Sequence, residues 1–246
     1  MTEDTDIDQA VRPADGGVTA PKGFAASGVS AGIKKSGNRD MALIAAARPV
    51  PAAAVFTRNL VAAAPVVVSR AHISNGLIRA AIVNAGNANA CTGEAGLDDA
   101  RRMAAVTGAT LGCDPTDVIV ASTGVIGVPM PMDLVVAGIE GAARALDRSP
   151  EDTAAEAIMT TDTFPKRSAA KVTFDGREYT VGGMAKGSGM IQPNMATMLA
   201  FVTTDAALTP AACDAALRAA VRRTFNRITV DSDTSTNDMC LLMACG

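Results

Sequence analysis

Aromatic residues are scarce in this sequence of 246 residues: they make up 3% of it, with no Trp and a single Tyr. Because proteins hold the bases of single-stranded nucleic acids largely by stacking them on aromatic rings, this scarcity argues against such a ligand. Lys and Arg form no run, and the formal net charge is −3. The charge therefore also argues against a nucleic acid or an anionic membrane as partner.

Histidine is nearly absent as well. The single His72 makes a histidine-based metal site or a Ser-His-Asp triad improbable, and no GxSxG motif occurs. We expect His72 to be a hydrogen-bonded residue of the surface or of a strand. The cysteines form no CxxC pair and their number is odd, which favours reduced thiols over disulfides or a zinc site. They are Cys91, Cys113, Cys213, Cys240 and Cys245.

The sequence contains no apolar run long enough to span a bilayer. Residues 1–17 are acidic and polar and lack the basic start and apolar centre of a signal peptide, so we expect a flexible tail there and a cytoplasmic protein. The last residues, "TSTNDMCLLMACG", stop just after an apolar run. We therefore expect the sequence to be a truncated chain.

The order of apolar segments predicts an α/β (α+β) fold in which layered sheets are covered by helices. Asp175-Gly176 predicts a hairpin turn, and Thr209-Pro210 predicts the start of a helix that ends near Arg223. A further strand is predicted at the start of "ITVDSDTSTND". The other predicted strands are 41–47, 53–57, 65–70, 78–84, 117–122 and 197–204, and the other predicted helices are 94–110, 132–146 and 151–159.

Three loops rich in Gly, Thr and Asn follow apolar segments: "VNAGNANACTG" (83–93), "ASTGVIG" (121–127) and "MTTDTFPK" (159–166). Loops at strand ends are where α/β proteins bind ligands, and glycine lets the backbone approach a ligand closely. A phosphate site is a weak alternative, because neither GxxxxGK[ST] nor GxGxxG is present. Each loop taken alone is better explained by turn and capping chemistry than by a ligand site.

Thr197 stands where the Gly- and Met-rich stretch "KGSGMIQPNMA" meets a strand-like segment. A threonine can be its own general base when it is N-terminal, because its α-amine can accept the hydroxyl proton. An internal Thr becomes N-terminal only if the chain cuts itself, and a small residue such as Ala196 after a Gly-rich segment favours the strained conformation that this requires. The alternative is a β-branched residue with a purely structural role.

The sequence resembles the ornithine acetyltransferases (glutamate N-acetyltransferases), the bifunctional, self-cleaving enzymes of arginine biosynthesis. The resemblance extends from about Val18 to Gly246 and rests on long motifs in the family's order. These are "GVTAPKGFAASGVSAGIK", "AVFTRN", "VNAGNANACTG", "ASTGVIG", "AIMTTDT", "VGGMAKG", "KGSGMIQPNMATML" and "TFNRITVDSDTSTND".

The resemblance implies that cleavage between Ala196 and Thr197 frees Thr197 as the nucleophile. It implies an oxyanion hole formed by Thr123 and Gly124, and a substrate site formed by Thr160, Lys186 and Thr197. A lysine suits the carboxylate of an N-acetylated amino acid. Residues 18–196 would form the α-chain portion and residues 197–246 the start of the β-chain portion.

The implied reaction moves acetyl from N-acetylornithine to glutamate through an ester on Thr197. It needs no metal or bound cofactor, and acetyl-CoA is a possible co-substrate. The two pieces would stay together as a heterotetramer. Family members continue well beyond residue 246, where further site residues are expected. Two alternatives remain: a self-cleaving acyltransferase or aminopeptidase of the same fold with another substrate, and a small-molecule-binding protein that is never cleaved.

Overall fold

The computed structural model describes residues 11–146, 148–150, 152–190 and 198–246. Within these residues the chain forms nine strands and five α-helices. The strands are β1 Val11–Ala14, β2 Phe24–Val29, β3 Met41–Phe56, β4 Leu77–Asn87, β5 Val118–Val125, β6 Lys166–Phe174, β7 Arg177–Lys186, β8 Leu199–Thr204 and β9 Met239–Ala244. The helices, numbered in chain order, are α1 Ala64–His72, α2 Gly93–Leu111, α3 Met132–Ala145, α4 Asp152–Ala157 and α5 Pro210–Arg223.

The strands form two sheets that share β3. Sheet I has the order β2-β3-β4-β5, and sheet II has the order β1-β6-β7-β8-β9-β3. Neighbouring strands are antiparallel except for the pairs β4–β5 and β8–β9, which are parallel. Each parallel pair is connected through a helix, α2 in sheet I and α5 in sheet II, as parallel pairing requires.

Strand β3 passes from one sheet to the other at a bend near Arg48. Its first part pairs with β4 as far as Pro51, whereas Ala52–Phe56 pair with β9. The pairing with β4 is irregular between Ala45 and Val50, and the intervening Pro49 is exposed. Proline cannot donate a ladder hydrogen bond, so it is tolerated at such a bulge.

Alternating side chains of the strands separate three apolar layers. In β3, Ile44 faces the core between the two sheets, while Leu43 faces the layer under α1, α2 and α3. In β8, Phe201 faces the same central core, while Ala200 faces the layer under α5, where Leu217 packs. The order of layers is therefore helices, sheet I, sheet II and helix.

Most of the predicted elements are confirmed, including the Asp175-Gly176 turn, at which both residues have positive φ. Thr209 is also confirmed as the N-cap of α5, because its hydroxyl accepts a hydrogen bond from the Ala212 N–H. The α/β fold with layered sheets and covering helices is likewise confirmed. Among the residues that the structure describes, no helix is long and apolar enough to cross a membrane.

The predicted strand at 65–70 is wrong: the segment lies in α1. The run of valines favours a strand, but Pro65 stands in the first helical turn, where proline is well accommodated. Packing on sheet I then decides the conformation. Ser69 donates to the Val120 carbonyl at 2.7 Å and accepts from the Val120 N–H at 2.8 Å, so the helix satisfies the edge of β5.

Other predicted boundaries need correction. The segments 41–47 and 53–57 are one strand, β3, and β4 and β5 extend into the first two polar loops, as far as Asn87 and Val125. Residues 228–238 form turns and irregular structure, with the strand β9 only after them. Part of the predicted flexible tail is ordered, because Val11–Ala14 pair with β6. His72 ends α1, with its Nδ1 atom 2.7 Å from the Val118 carbonyl oxygen.

Candidate active site

The three polar loops meet at one end of the two sheets and line a cleft of about 560 Å³. Each loop contributes: Gly86 and Ala88 come from the first, Thr123 and Gly124 from the second, and Thr160 from the third. The segment before β9 closes a further side with Ser235, Thr236 and Asn237, and the remaining lining residues include Lys34, Lys186 and Met190.

Thr123 and Lys186 are in direct contact at the cleft. The Lys186 Nζ atom donates to the Thr123 Oγ1 atom at 2.9 Å, although the two residues lie 63 positions apart. Only 5% of Lys186 and 8% of Thr123 is exposed. Burial lowers the pKa of Lys186, while the negative charges of Asp162 and Asp238 act in the opposite direction. The lysine is therefore held at the cleft wall and not solvated at the surface.

Gly124 follows Thr123 at a point where two strands approach very closely. Its φ of 137° lies in the region that favours glycine, and a Cβ atom there would lie 2.3 Å from the Gly86 carbonyl carbon. The exposed backbone of Gly124 thus faces the cleft beside the Thr123 hydroxyl. Thr123 and Gly124, to which the resemblance assigns the oxyanion hole, therefore both line the cleft, and the assignment itself stays a prediction.

Thr160 also lines the cleft and lies in the loop between α4 and β6. It is exposed, and its N–H donates to the Asp162 Oδ2 atom at 3.3 Å. Thr160 is thus exposed at the cleft, and its role in binding substrate stays a prediction. The predicted cleavage site and nucleophile, Ala196 and Thr197, lie outside the described residues.

Met198, which follows Thr197 in the chain, is anchored beside the cleft. Its N–H donates to the Asp238 Oδ1 atom at 2.9 Å, and its carbonyl accepts from the Met239 N–H at 3.1 Å. The next residue, Leu199, pairs with Lys186 across β7 and β8. The chain therefore enters β8 one strand away from the lysine.

Asp238 is a buried neighbour of the cleft residue Asn237, and it was not predicted from the sequence. It is 1% exposed, and its Oδ2 atom has no hydrogen-bond partner within the described part of the chain. Burial raises the pKa of this carboxyl to about 8, against the hydrogen bonds with the Met198 N–H and the Ser235 side chain and against the charge of Lys186. The motif "TSTND" gave a signal, since an Asp next to an apolar strand is an unusual core residue.

Asn237 is a second missed residue, and it joins three parts of the cleft. Its Nδ2 atom donates to the carbonyl oxygens of Ala88 at 2.6 Å and Ser122 at 2.9 Å. It thereby ties the segment before β9 to the ends of β4 and β5. Its contribution is to fix the cleft wall, because both amide protons are used by backbone groups.

The pKa of Asp238 leads to a prediction about stability. Since the folded pKa is raised from 3.8 to about 8, the folded protein holds a proton that the unfolded chain loses within this range. The contribution to stability is complete below the unfolded pKa and is lost as pH rises through the folded pKa. In the wild type the free energy of unfolding should therefore fall by about 1.4 kcal/mol for each unit by which the pH rises. We expect Asp238→Asn to abolish this fall.

Urea unfolding of the wild type and of Asp238→Asn between pH 5 and about 8 measures this difference in slope. Asp175→Asn, at the β6–β7 turn, is the matched control and should leave the slope of the wild type unchanged. Parallel stability curves for the wild type and Asp238→Asn would contradict the raised pKa.

The fold and the cleft together define an α/β protein with a small-molecule site in which a buried lysine meets hydroxyl and backbone groups at converging strand ends. Comparison with known proteins identifies the family. The model of the ArgJ family matches residues 25–246. The chain therefore belongs to the ArgJ family.

Among curated relatives, the arginine biosynthesis bifunctional protein ArgJ of Symbiobacterium thermophilum is 58% identical over 233 residues, which are 94% of this chain and 58% of the relative. The chain thus spans less than two thirds of that relative's length. Two solved structures are similar. ArgJ from Bacillus halodurans has a TM-score of 0.70 at 43% identity, covering 75% of this chain and 97% of the solved chain. Ornithine acetyltransferase from Mycobacterium tuberculosis, complexed with ornithine, has a TM-score of 0.68 at 42% identity, covering 75% and 98%.

Proposed function

We propose that the full-length protein is an ornithine acetyltransferase that moves acetyl from N-acetylornithine to glutamate, with Thr197 as nucleophile after self-cleavage behind Ala196. Family membership supports this activity, as do the relatives named for arginine biosynthesis and for ornithine acetyltransferase. The observation that carries the proposal is the buried contact between Lys186 and Thr123, next to the strand that begins just after Thr197.

Self-cleavage would proceed by attack of the Thr197 hydroxyl oxygen on the Ala196 carbonyl carbon. The peptide C–N bond breaks as the ester C–O bond forms, and the nitrogen becomes the α-amine of Thr197. Water then hydrolyses the ester and leaves a free hydroxyl beside a free amine. The α-amine has a reference pKa of roughly 7.7–8.0, so an appreciable fraction is neutral near pH 7 and can accept the hydroxyl proton.

Acetyl transfer would use the same hydroxyl on the acetyl carbonyl carbon of N-acetylornithine. Negative charge develops on the carbonyl oxygen, where the Thr123 hydroxyl and the Gly124 N–H would donate hydrogen bonds. The α-amine of Thr197 returns a proton to the departing amine, and ornithine leaves. The amine of glutamate then attacks the acetyl-Thr197 ester. Lys186 and Thr160 would hold the polar groups of both amino acids.

The described strands support a cleaved protein whose two pieces stay associated. Strands β8 and β9, which follow residue 197, lie inside sheet II between β7 and β3. We include in the proposal a heterotetramer of both pieces, a cytoplasmic location, catalysis without a bound cofactor, and acetyl-CoA as a further donor.

The test is an acetyl-transfer assay with purified full-length protein. We expect N-acetylornithine and glutamate to give ornithine and N-acetylglutamate in equal amounts, and denaturing mass spectrometry to show two pieces divided between Ala196 and Thr197. Protein that is cleaved but transfers acyl groups only from other donors would refute the substrate. One intact chain without transfer would refute the mechanism.

A further inference from the structure

Asp162 connects the two segments that carry the predicted substrate-binding residues Thr160 and Lys186. Its side chain is 1% exposed and lies in the loop between α4 and β6. The Oδ1 atom accepts from the Gly187 N–H at 2.8 Å, and the Oδ2 atom accepts from the Thr160 N–H at 3.3 Å. One bond therefore fixes Thr160 itself, and the other fixes the residue that follows Lys186.

We propose that Asp162 is a positioning residue that holds Thr160 and the backbone next to Lys186 at a fixed separation in the cleft and places its negative charge near Lys186, so that the two residues together bind a carboxylate substrate. This inference rests on the proposed function, since it concerns how the same cleft binds an amino acid. Asp162 touches neither Thr123 nor the start of β8 through any described hydrogen bond, so it acts through Thr160 and through Gly187, the neighbour of Lys186.

The bond geometry requires a carboxylate. Each of the two oxygens accepts from a different backbone segment, and Oδ1 also accepts from the Lys166 ammonium. The amide of an asparagine would keep one oxygen acceptor, but its NH2 group would face a backbone N–H, which is also a donor. A buried charge is costly unless it is paired and hydrogen-bonded, and Asp162 has three donors that meet this requirement.

The charges around Lys186 give Asp162 an electrostatic role as well. Burial lowers the pKa of Lys186, Asp162 and Asp238 raise it, and Lys166 and Lys34 lower it. Asp162 likewise opposes the lowering of the Lys34 pKa by burial. Burial tends to raise the pKa of Asp162 itself, but its bonds to Lys166, Gly187 and Thr160 outweigh this and lower it. Asp162 therefore stays ionised and favours the charged form of the lysine.

Asp162→Asn in the full-length protein tests both roles. Loss of hydrogen bonds to a charged acceptor should raise KM for N-acetylornithine by about 10- to 100-fold, with a smaller fall in kcat. Loss of the negative charge should lower the pKa of Lys186. The alkaline limb of the pH profile of kcat/KM, and the titration midpoint of Lys186 in NMR of lysine-labelled protein, should both move to lower pH. Lys186→Arg assigns the NMR signal.

Two comparison variants separate this role from a general loss of structure. Lys166→Met removes a positive charge, so the midpoint of Lys186 should move to higher pH, opposite to Asp162→Asn. Asp205 accepts the Thr180 N–H at 2.6 Å, at the other end of β7, and Asp205→Asn should change neither KM nor the midpoint.

The inference is overturned if Asp162→Asn leaves KM and the titration midpoint of Lys186 unchanged. It is also overturned if Asp162→Asn and Lys166→Met move this midpoint in the same direction. Failure of the proposed function has a different signature, namely a wild-type protein without acetyl transfer. In that case the NMR titration still decides whether Asp162 controls the charge of Lys186.

Discussion

Thr197→Ala is expected to leave the chain uncut and to abolish acetyl transfer. Alanine has no hydroxyl to attack the preceding carbonyl, so neither the ester nor the free α-amine can form. By analogy with nucleophile removal in serine proteases, kcat should fall by about 10⁶-fold. Denaturing mass spectrometry measures the cleavage, and ornithine release from N-acetylornithine measures the transfer.

Thr197→Ser is the informative partner variant, because it keeps a hydroxyl and would still produce an N-terminal amine. We expect partial cleavage and partial transfer from it. Thr110→Ala, on the exposed side of α2, controls for the loss of a threonine elsewhere and should behave like the wild type. A Thr197→Ala protein that is cut and active would remove Thr197 from the mechanism.

Thr123→Val is expected to lower kcat by about 10²- to 10³-fold, the usual loss for one oxyanion donor. Valine keeps the shape of the side chain but removes the hydroxyl, and it also removes the hydrogen bond that Lys186 donates at 2.9 Å. Since the hydroxyl is proposed to serve the developing negative charge, kcat should fall more than KM rises. Steady-state kinetics with N-acetylornithine checks this.

Thr123→Ser should recover most of the lost activity, because a donor returns to the same position. Thermal unfolding of both variants shows whether β5 remains intact. Equal losses in Thr123→Val and Thr123→Ser would mean that the methyl group of the threonine matters, and not its hydroxyl. The oxyanion assignment would then be wrong.

The sequence predicted the parts of this protein in which local chemistry and tertiary packing agree. Helix α5 has its Thr209 cap and Pro210 start, and the β6–β7 turn has Asp175-Gly176, so both form where expected. The wrong prediction at 65–70 has a physical cause. The valines favour a strand, but in the helix Ser69 donates a hydrogen bond to Val120, which is 51 residues away. No local pattern reports such a contact.

The same division applies to the cleft. Motifs located Thr123, Gly124, Thr160 and Lys186, which the structure places along one cleft. They did not single out Asp162 or Asp238, whose importance comes from burial and from bonds to backbone groups of distant segments. From the sequence alone, an Asp in a polar motif is interpreted as a solvated turn residue, because the residues that surround it are known only from the fold.

The position of β8 and β9 in the middle of sheet II has a consequence for the order of events during maturation. Among the residues that the structure describes, strands β7 and β3 are joined only through these two strands, both of which follow residue 197. A chain cut during synthesis would leave an N-terminal piece with two unpaired sheet edges, which are prone to aggregation. If the proposed cleavage depends on the folded cleft, it can occur only after the central strands are in place. The appearance of two pieces on a gel would then report that folding is complete.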